Sequence, residues 1–177
     1  MEKEWKDIEY FSERFDLRTA KLIDLLDDSY LVKDVLDIGC GLMFAKRYLY
    51  EKYGINNYYG LDYKSRDNET IICDLNKKEF PSKYYDLFLV AGCLEYIKDV
   101  QWFFSRFVFC KKYALISYCS VELVPDLEKR RNGAWKNDLT ALDIKNYMSG
   151  EGFVADKEVI DAEFATNLFL FKRKMIS

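Results

Sequence analysis

The amino-acid sequence predicts an α/β fold: an open, doubly wound, mostly parallel sheet of seven strands, with the last strand antiparallel. Three observations lead there. Short apolar runs alternate along the chain with segments of helical spacing. The run Tyr85-Asp86-Leu87-Phe88-Leu89-Val90-Ala91 is almost continuously apolar, as strands covered on both faces are. Two further strands, near 153–160 and 167–173, follow each other too closely for a helical crossover, which makes them an antiparallel pair at a sheet edge.

The elements follow in order. Residues 5–27 carry Trp5, Ile8, Phe11, Phe15, Leu22 and Leu25 near helical spacing, and Trp5, Tyr10 and Phe11 suit either core or a pocket lid. A first strand, Lys33 to Ile38, ends at Gly39. Phe44, Tyr48 and Leu49 resume helical spacing over 43–53, and Gly54 closes that helix. Strands at 57–61 and 70–73 end at Asp62 and Asp74. The strand at 85–91 precedes a helix over 98–109 and a fifth strand at 113–118. Residues 121–137, with Pro125 and Gly133, read as irregular, and a helix at 140–150 leads into the final pair. No linker or repeat interrupts this order, so residues 1–177 are expected to form one domain. Residues 1–30 would be its N-terminal helical segment and 121–137 an insertion on the substrate side.

Composition narrows the chemistry. A net charge of −3 supplies no field to attract nucleic acid or an anionic membrane. The charged start, Met1-Glu2-Lys3-Glu4, lacks the apolar core of a secretory signal. Five cysteines (Cys40, Cys73, Cys93, Cys110, Cys119) contain no Cys-x-x-Cys pair and read as reduced thiols of a cytoplasmic protein. The sequence holds no histidine. That removes histidine triads, most catalytic zinc centres and the usual near-neutral base.

Chemistry in such sheets belongs at the carboxyl ends of the strands. There the first strand runs into Ile38-Gly39-Cys40-Gly41, where two glycines allow a tight turn and a close backbone approach. Asp62 ends the second strand, 21 positions after Gly41, where a carboxylate can accept two hydrogen bonds from a ribose diol. Asp74 follows the third strand, within reach of an adenine amine. Any single acid of this kind is also a common helix cap. Three glycine or acid features behind successive strands point to a nucleoside site.

With these residues in place, the chain resembles the class I S-adenosylmethionine-dependent methyltransferases, in particular their small-molecule (type 11/23-like) group, whose fold is Rossmann-like. Val35 to Gly41 is similar to the family's first motif, Asp62 to its ribose acid, and Asp74 to the acid near adenine. Tyr85 to Val90 followed by Ala91-Gly92-Cys93-Leu94-Glu95-Tyr96-Ile97 looks like the fourth-strand motif. The stretch from Leu139 to Phe153 looks like the helix and Gly-Phe turn before the last two strands. The resemblance covers about residues 30–173. It implies S-adenosylmethionine as cofactor, S-adenosylhomocysteine as product and a small-molecule methyl acceptor. It also implies a cofactor site of Asp37, Gly39, Cys40, Gly41, Asp62, Tyr63, Cys73, Asp74, Leu75, Ala91, Gly92 and Cys93. Three positions depart from the pattern: Met43 replaces a third glycine, eleven residues between Asp62 and Asp74 leave no room for the usual helix, and Tyr96 replaces a histidine.

Methyl transfer from a sulfonium is an in-line displacement that mainly requires positioning, with a base needed only for an acceptor that must lose a proton. Glu95, Tyr96, Tyr118 and Glu122 are candidates by position, and each also suits a cap, a pocket wall or a solvated site. Arg130, Arg131 and Trp135 would hold a phosphate- or sugar-bearing acceptor, or form a solvated turn with one packing ring. Two other readings stand beside this one. A nicotinamide-dependent oxidoreductase expects glycine where Phe44 stands, and a second nucleotide-binding half. A binding module would hold the cofactor without turnover.

Overall fold

The computed structural model describes residues 13–27 and 31–175, so Trp5, Ile8, Tyr10 and Phe11 lie outside the described residues. Seven strands form one sheet: β1 (Asp34–Ile38), β2 (Asn57–Asp62), β3 (Ile71–Ile72), β4 (Tyr85–Ala91), β5 (Cys110–Tyr118), β6 (Phe153–Asp161) and β7 (Thr166–Arg173). Their order is β3-β2-β1-β4-β5-β7-β6. The first five run parallel, and β7 is antiparallel to both of its neighbours. This is the doubly wound sheet expected, with its single reversed strand.

The period of two in each strand divides the core into two layers. Val35, Leu87, Leu89, Leu115, Leu168 and Leu170 point to one face. There Leu22 and Ile23 of α1 (Glu13–Ile23) and Ala45 and Leu49 of α2 (Phe44–Tyr53) cover them. Leu36, Ile38, Phe88, Val90, Ala114, Ile116, Phe169 and Phe171 point to the other face. They meet the rings of α3 (Val100–Ser105) and its following turn, and Ile144 and Met148 of α5 (Ala141–Gly150). Among the described residues, no helix is long and apolar enough to cross a membrane.

Three elements differ from the expectation. The helix expected over 98–109 is a six-residue α3 followed by a 3-10 turn over Arg106–Phe109. Phe104, near the end of α3, and Phe107, in the turn, pack together over the sheet with ring centroids 5.7 Å apart. Strand β5 begins at Cys110 rather than 113, because Lys111 and Lys112 reach across to the buried carboxylate of Asp86 on β4. Residues 121–137 are not wholly irregular: α4 (Leu127–Asn132) starts at Asp126, whose side chain accepts the Lys129 N–H at 2.9 Å. The helix between β2 and β3 is absent, as the short spacing requires, and β3 is reduced to two residues.

Candidate functional site

A cavity of about 450 Å³ opens at the carboxyl ends of β1, β2, β3 and β4, under the face of α1. Its floor is the glycine turn. The N–H groups of Gly39 and Cys40 both donate to the Leu61 carbonyl, at 2.8 and 3.0 Å, which pins the end of β1 to β2. Gly39 has φ of 73°. A Cβ there would lie 2.6 Å from Sγ of Cys93, so the β1 and β4 loops touch only because residue 39 has no side chain. Gly41, at φ 51°, donates its N–H to Oδ2 of Asp62 at 2.9 Å. The turn and the acid behind β2, read separately in the sequence, are thus one hydrogen-bonded unit. Arg66 adds its Nε 3.2 Å from the same Oδ2. Oδ1 has only long contacts, 3.5 Å to the Lys64 N–H and 3.4 Å to Arg66, and is the oxygen left for a ligand.

Asp37 lies below this unit, buried, and accepts a 2.5 Å hydrogen bond from the Tyr58 hydroxyl. Burial pushes its pKa up from 3.8 to about 7, with the Tyr58 hydrogen bond opposing and the Asp62 charge adding. The sign of the consequence follows from linkage. Between pH 3.8 and about 7 the folded chain keeps a proton that the unfolded chain has shed, so stability falls as pH rises across that window and levels off above it. Thermal melts of the ligand-free protein from pH 4 to 8 are expected to show a steeper loss in the wild type than in Asp37→Asn. Parallel curves would contradict the burial argument.

Eleven of the twelve expected cofactor residues line the cavity: Asp37, Gly39, Cys40, Gly41, Asp62, Tyr63, Cys73, Leu75, Ala91, Gly92 and Cys93. Asp74 does not. Its carboxylate caps the turn Leu75–Lys77 by accepting the Asn76 N–H at 3.1 Å, the capping alternative that its position always allowed. The neighbouring Asn76 lines the cavity instead. Its amide donates to the Tyr96 carbonyl at 3.0 Å and accepts the Lys98 N–H at 2.9 Å, tying the loop after β3 to the loop after β4. Burial raises the pKa of Cys40, Cys73 and Cys93, so the thiols in the wall are neutral.

The catalytic candidates Glu95, Tyr118 and Glu122 do not line this cavity. Glu95 is buried and its Oε1 accepts the Cys119 N–H at 3.1 Å. The Tyr118 hydroxyl is bound to Asn137, Arg130 and the Leu139 N–H. Glu122 accepts the Ala141 N–H at the start of α5. Tyr96 does line the cavity, but burial, with Glu95 adding, pushes its pKa up to about 12. A phenol so held does not take a proton near neutrality.

The acceptor-binding expectation for Arg130, Arg131 and Trp135 is corrected as well. Arg130 is 0% exposed and points inward. It pairs with Asp138 at 2.7 Å and donates to the Cys119 carbonyl at 2.7 Å, the Tyr118 hydroxyl at 2.8 Å and the Asn137 carbonyl at 3.1 Å. Arg131 is held by the same Asp138. Trp135 stacks on the Arg130 guanidinium at 4.7 Å and hydrogen-bonds Tyr96, so it buttresses the pocket wall from behind. The sequence reading also passed over Phe15, Arg18 and Thr19 of α1, which close the cavity from above. A signal for Arg18 exists: it stands between Phe15 and Leu22 in the apolar stripe of that helix.

No protein-family model matches the sequence, and no curated protein matches it. Solved structures do resemble the fold. Magnesium protoporphyrin IX methyltransferase of Synechocystis, with S-adenosylhomocysteine bound, superposes with a TM-score of 0.66 at 15% identity, over 92% of this chain and 83% of that one. A putative methyltransferase of Haloferax volcanii, in complex with the Trm112 methyltransferase activator, gives 0.74 at 15% identity over 93% and 92%. An S-adenosylmethionine-dependent methyltransferase of Mesorhizobium loti gives 0.69 at 18% identity over 86% and 96%. The strand order, the reversed β7 and these superpositions together show that the chain has the fold of the class I S-adenosylmethionine-dependent methyltransferases.

Proposed function

We propose that this protein is a methyltransferase that binds S-adenosylmethionine in the cavity over the glycine turn and methylates a small-molecule acceptor. The observation that carries the reading is the joining of Gly41 and Asp62 at 2.9 Å on the floor of a cavity of about 450 Å³. A nucleoside needs such a floor, with backbone free of side chains beside an acid that can accept from a diol. Oδ1 of Asp62 accepts from the ribose. Cys73, Leu75 and Ile97 give an apolar slot for a base, and the Asn76 amide holds the two sides of that slot together. The bound cofactor supplies an electrophilic methyl group on sulfur. The chain's own part is to exclude water with Phe15, Phe44 and Tyr96 and to hold the two reactants in line.

Calorimetric titration of S-adenosylhomocysteine tests this. Asp62→Ala removes a charged hydrogen-bonding partner and is expected to cost about 1.5–3 kcal/mol, roughly a tenfold to hundredfold loss of affinity. Unchanged affinity in the variant would overturn the assignment, and tight binding of NAD to the wild type would favour the oxidoreductase reading.

A second reading, cofactor binding without turnover, is favoured by one observation: Glu95, Tyr118 and Glu122 all lie outside the cavity lining. An acceptor already nucleophilic at neutral pH needs no base, so incubating the protein with labelled cofactor and a panel of thiols, amines and phenols separates the two. Labelled product supports the enzyme.

A further inference from the structure

The 3-10 turn Leu94–Tyr96, which follows β4, is held from outside. It carries Tyr96, and beside it Ile97, into the cavity wall. Its own bonds run from the Tyr96 N–H to the Cys93 carbonyl at 3.0 Å and from the Ile97 N–H to the Leu94 carbonyl at 3.2 Å. So short a turn satisfies few of its own carbonyls, and those in the interior need donors. Four successive carbonyls, Leu94 to Ile97, take them from elsewhere. The Asn137 amide donates to Leu94 at 2.7 Å and to Ile97 at 2.9 Å. The Lys136 N–H donates to Glu95 at 2.7 Å, and the Asn76 amide to Tyr96 at 3.0 Å. Asn76 stands in the wall on the β3 side, whereas Lys136 and Asn137 grip the turn from behind and do not line the cavity.

The surroundings force the orientation of the Asn137 amide. The Tyr118 hydroxyl accepts from Arg130 at 2.8 Å and from the Leu139 N–H at 2.9 Å. Both of its lone pairs are then occupied, and its single proton goes to Oδ1 of Asn137, at 2.7 Å. With its oxygen so engaged, the amide turns its two N–H bonds to Leu94 and Ile97. Arg130, wholly buried, also donates to the Asn137 carbonyl at 3.1 Å. A continuous line of hydrogen bonds therefore runs from α4 through Asn137 to the turn that shapes the wall. Aspartate matches the shape of asparagine, but an ionised carboxylate has no proton to offer the two carbonyls.

We infer that Asn137 is a positioning residue: from behind the wall it fixes the turn that sets Tyr96 and Ile97 against the bound cofactor. The inference rests on the function proposed above. It gives the segment between β5 and α5 a part in shaping the cavity that needs no contact with a ligand.

Asn137→Asp isolates this role, since it keeps the acceptor for Tyr118 and removes both donors, and Arg130 beside it favours the ionised form. Thr140→Ala is the control for stability. Thr140 lies in the same segment, accepts the Asp143 N–H at 3.0 Å to cap α5, and does not line the cavity. Both variants should lower the urea midpoint. Only Asn137→Asp should weaken S-adenosylhomocysteine in calorimetric titration, by about 10-fold or more, with Thr140→Ala within about threefold of wild type. A second readout needs no cofactor: iodoacetamide labelling of the ligand-free protein, resolved by peptide mass spectrometry. Cys93, at the head of the turn, should label faster in Asn137→Asp than in wild type, while Cys73 on the β3 side keeps its rate. Asn137→Ala, which removes the donors without adding a charge, repeats both measurements should the first variant fail to fold. Unchanged affinity in the Asn137 variants would make the residue merely structural and overturn the inference. So would an equal loss in Thr140→Ala, or a loss of affinity with no change at Cys93. Should S-adenosylhomocysteine not bind the wild type, the cofactor reading fails, and the labelling of Cys93 against Cys73 still decides whether Asn137 sets the wall.

Discussion

Replacing Arg130 with methionine is expected to lower the unfolding free energy by about 3–5 kcal/mol, the usual cost of removing one partner from a buried charged network. The side chain is fully buried, and its departure leaves the carbonyls of Cys119 and Asn137 and the Tyr118 hydroxyl short of a donor. It also leaves Trp135 without the cation beneath its ring. Methionine fills part of the volume but supplies no donors. A urea midpoint lower by roughly 1–3 M is the readout. Arg131→Ala provides the comparison, because Arg131 is half exposed and meets only the rim of the same network. Its loss should cost less than about 1 kcal/mol. Equal effects for the two arginines would mean that Arg130 is not the keystone of the segment.

Gly39→Val should abolish detectable binding of S-adenosylhomocysteine while leaving most of the sheet intact. Two penalties coincide at this position. A β-branched residue at φ 73° is strained by about 1–3 kcal/mol, and its Cβ would overlap Cys93 at 2.6 Å. Relief requires the β4 loop to move away from the β1 loop, and those two loops carry Ala91, Gly92 and Cys93 on one side and Cys40 and Gly41 on the other. A loss of about 100-fold or more in affinity, read by calorimetry with the far-ultraviolet circular dichroism unchanged, is the expected outcome. Binding within a few-fold of wild type would show that the turn is only a connection between elements.

Much of this was legible in the sequence, for reasons that differ by residue. Gly39, Gly41 and Asp62 were readable because a buried strand followed by backbone without side chains and then an acid is a pattern that local sterics dictate. The sheet was readable because its central strands, β4 above all, are buried on both faces, and the reversal at β7 follows from a connection too short for a helix. Asp74 was ambiguous, since a helix cap and a ligand acid have the same signature in a chain: a short carboxylate after a strand. Arg130 was misread because direction is not a property of a charge run. In a helix of six residues, no periodicity says which of Lys129, Arg130 and Arg131 turns inward. Arg18 was missed for the opposite reason. The periodicity was clear, but only its apolar positions were followed, and the one cation that shares their face was passed over.

The placement of β7 between β5 and β6 has a consequence for how the chain is made. Until Thr166 to Arg173 have been synthesised, β5 presents a bare edge and β6 has no neighbour at all. Val154, Val159 and Ile160 are then carried on a strand with nothing to pair with. During translation, the cofactor half of the sheet can assemble early from β1, β2 and β4, while the opposite flank waits for a segment that leaves the ribosome last among the strands. A nascent chain stalled before residue 166 would therefore offer the bare edge of β5 and both edges of β6 to its neighbours on the polysome. Closure of the sheet is in this sense a late event, completed only when β7 inserts between β5 and β6.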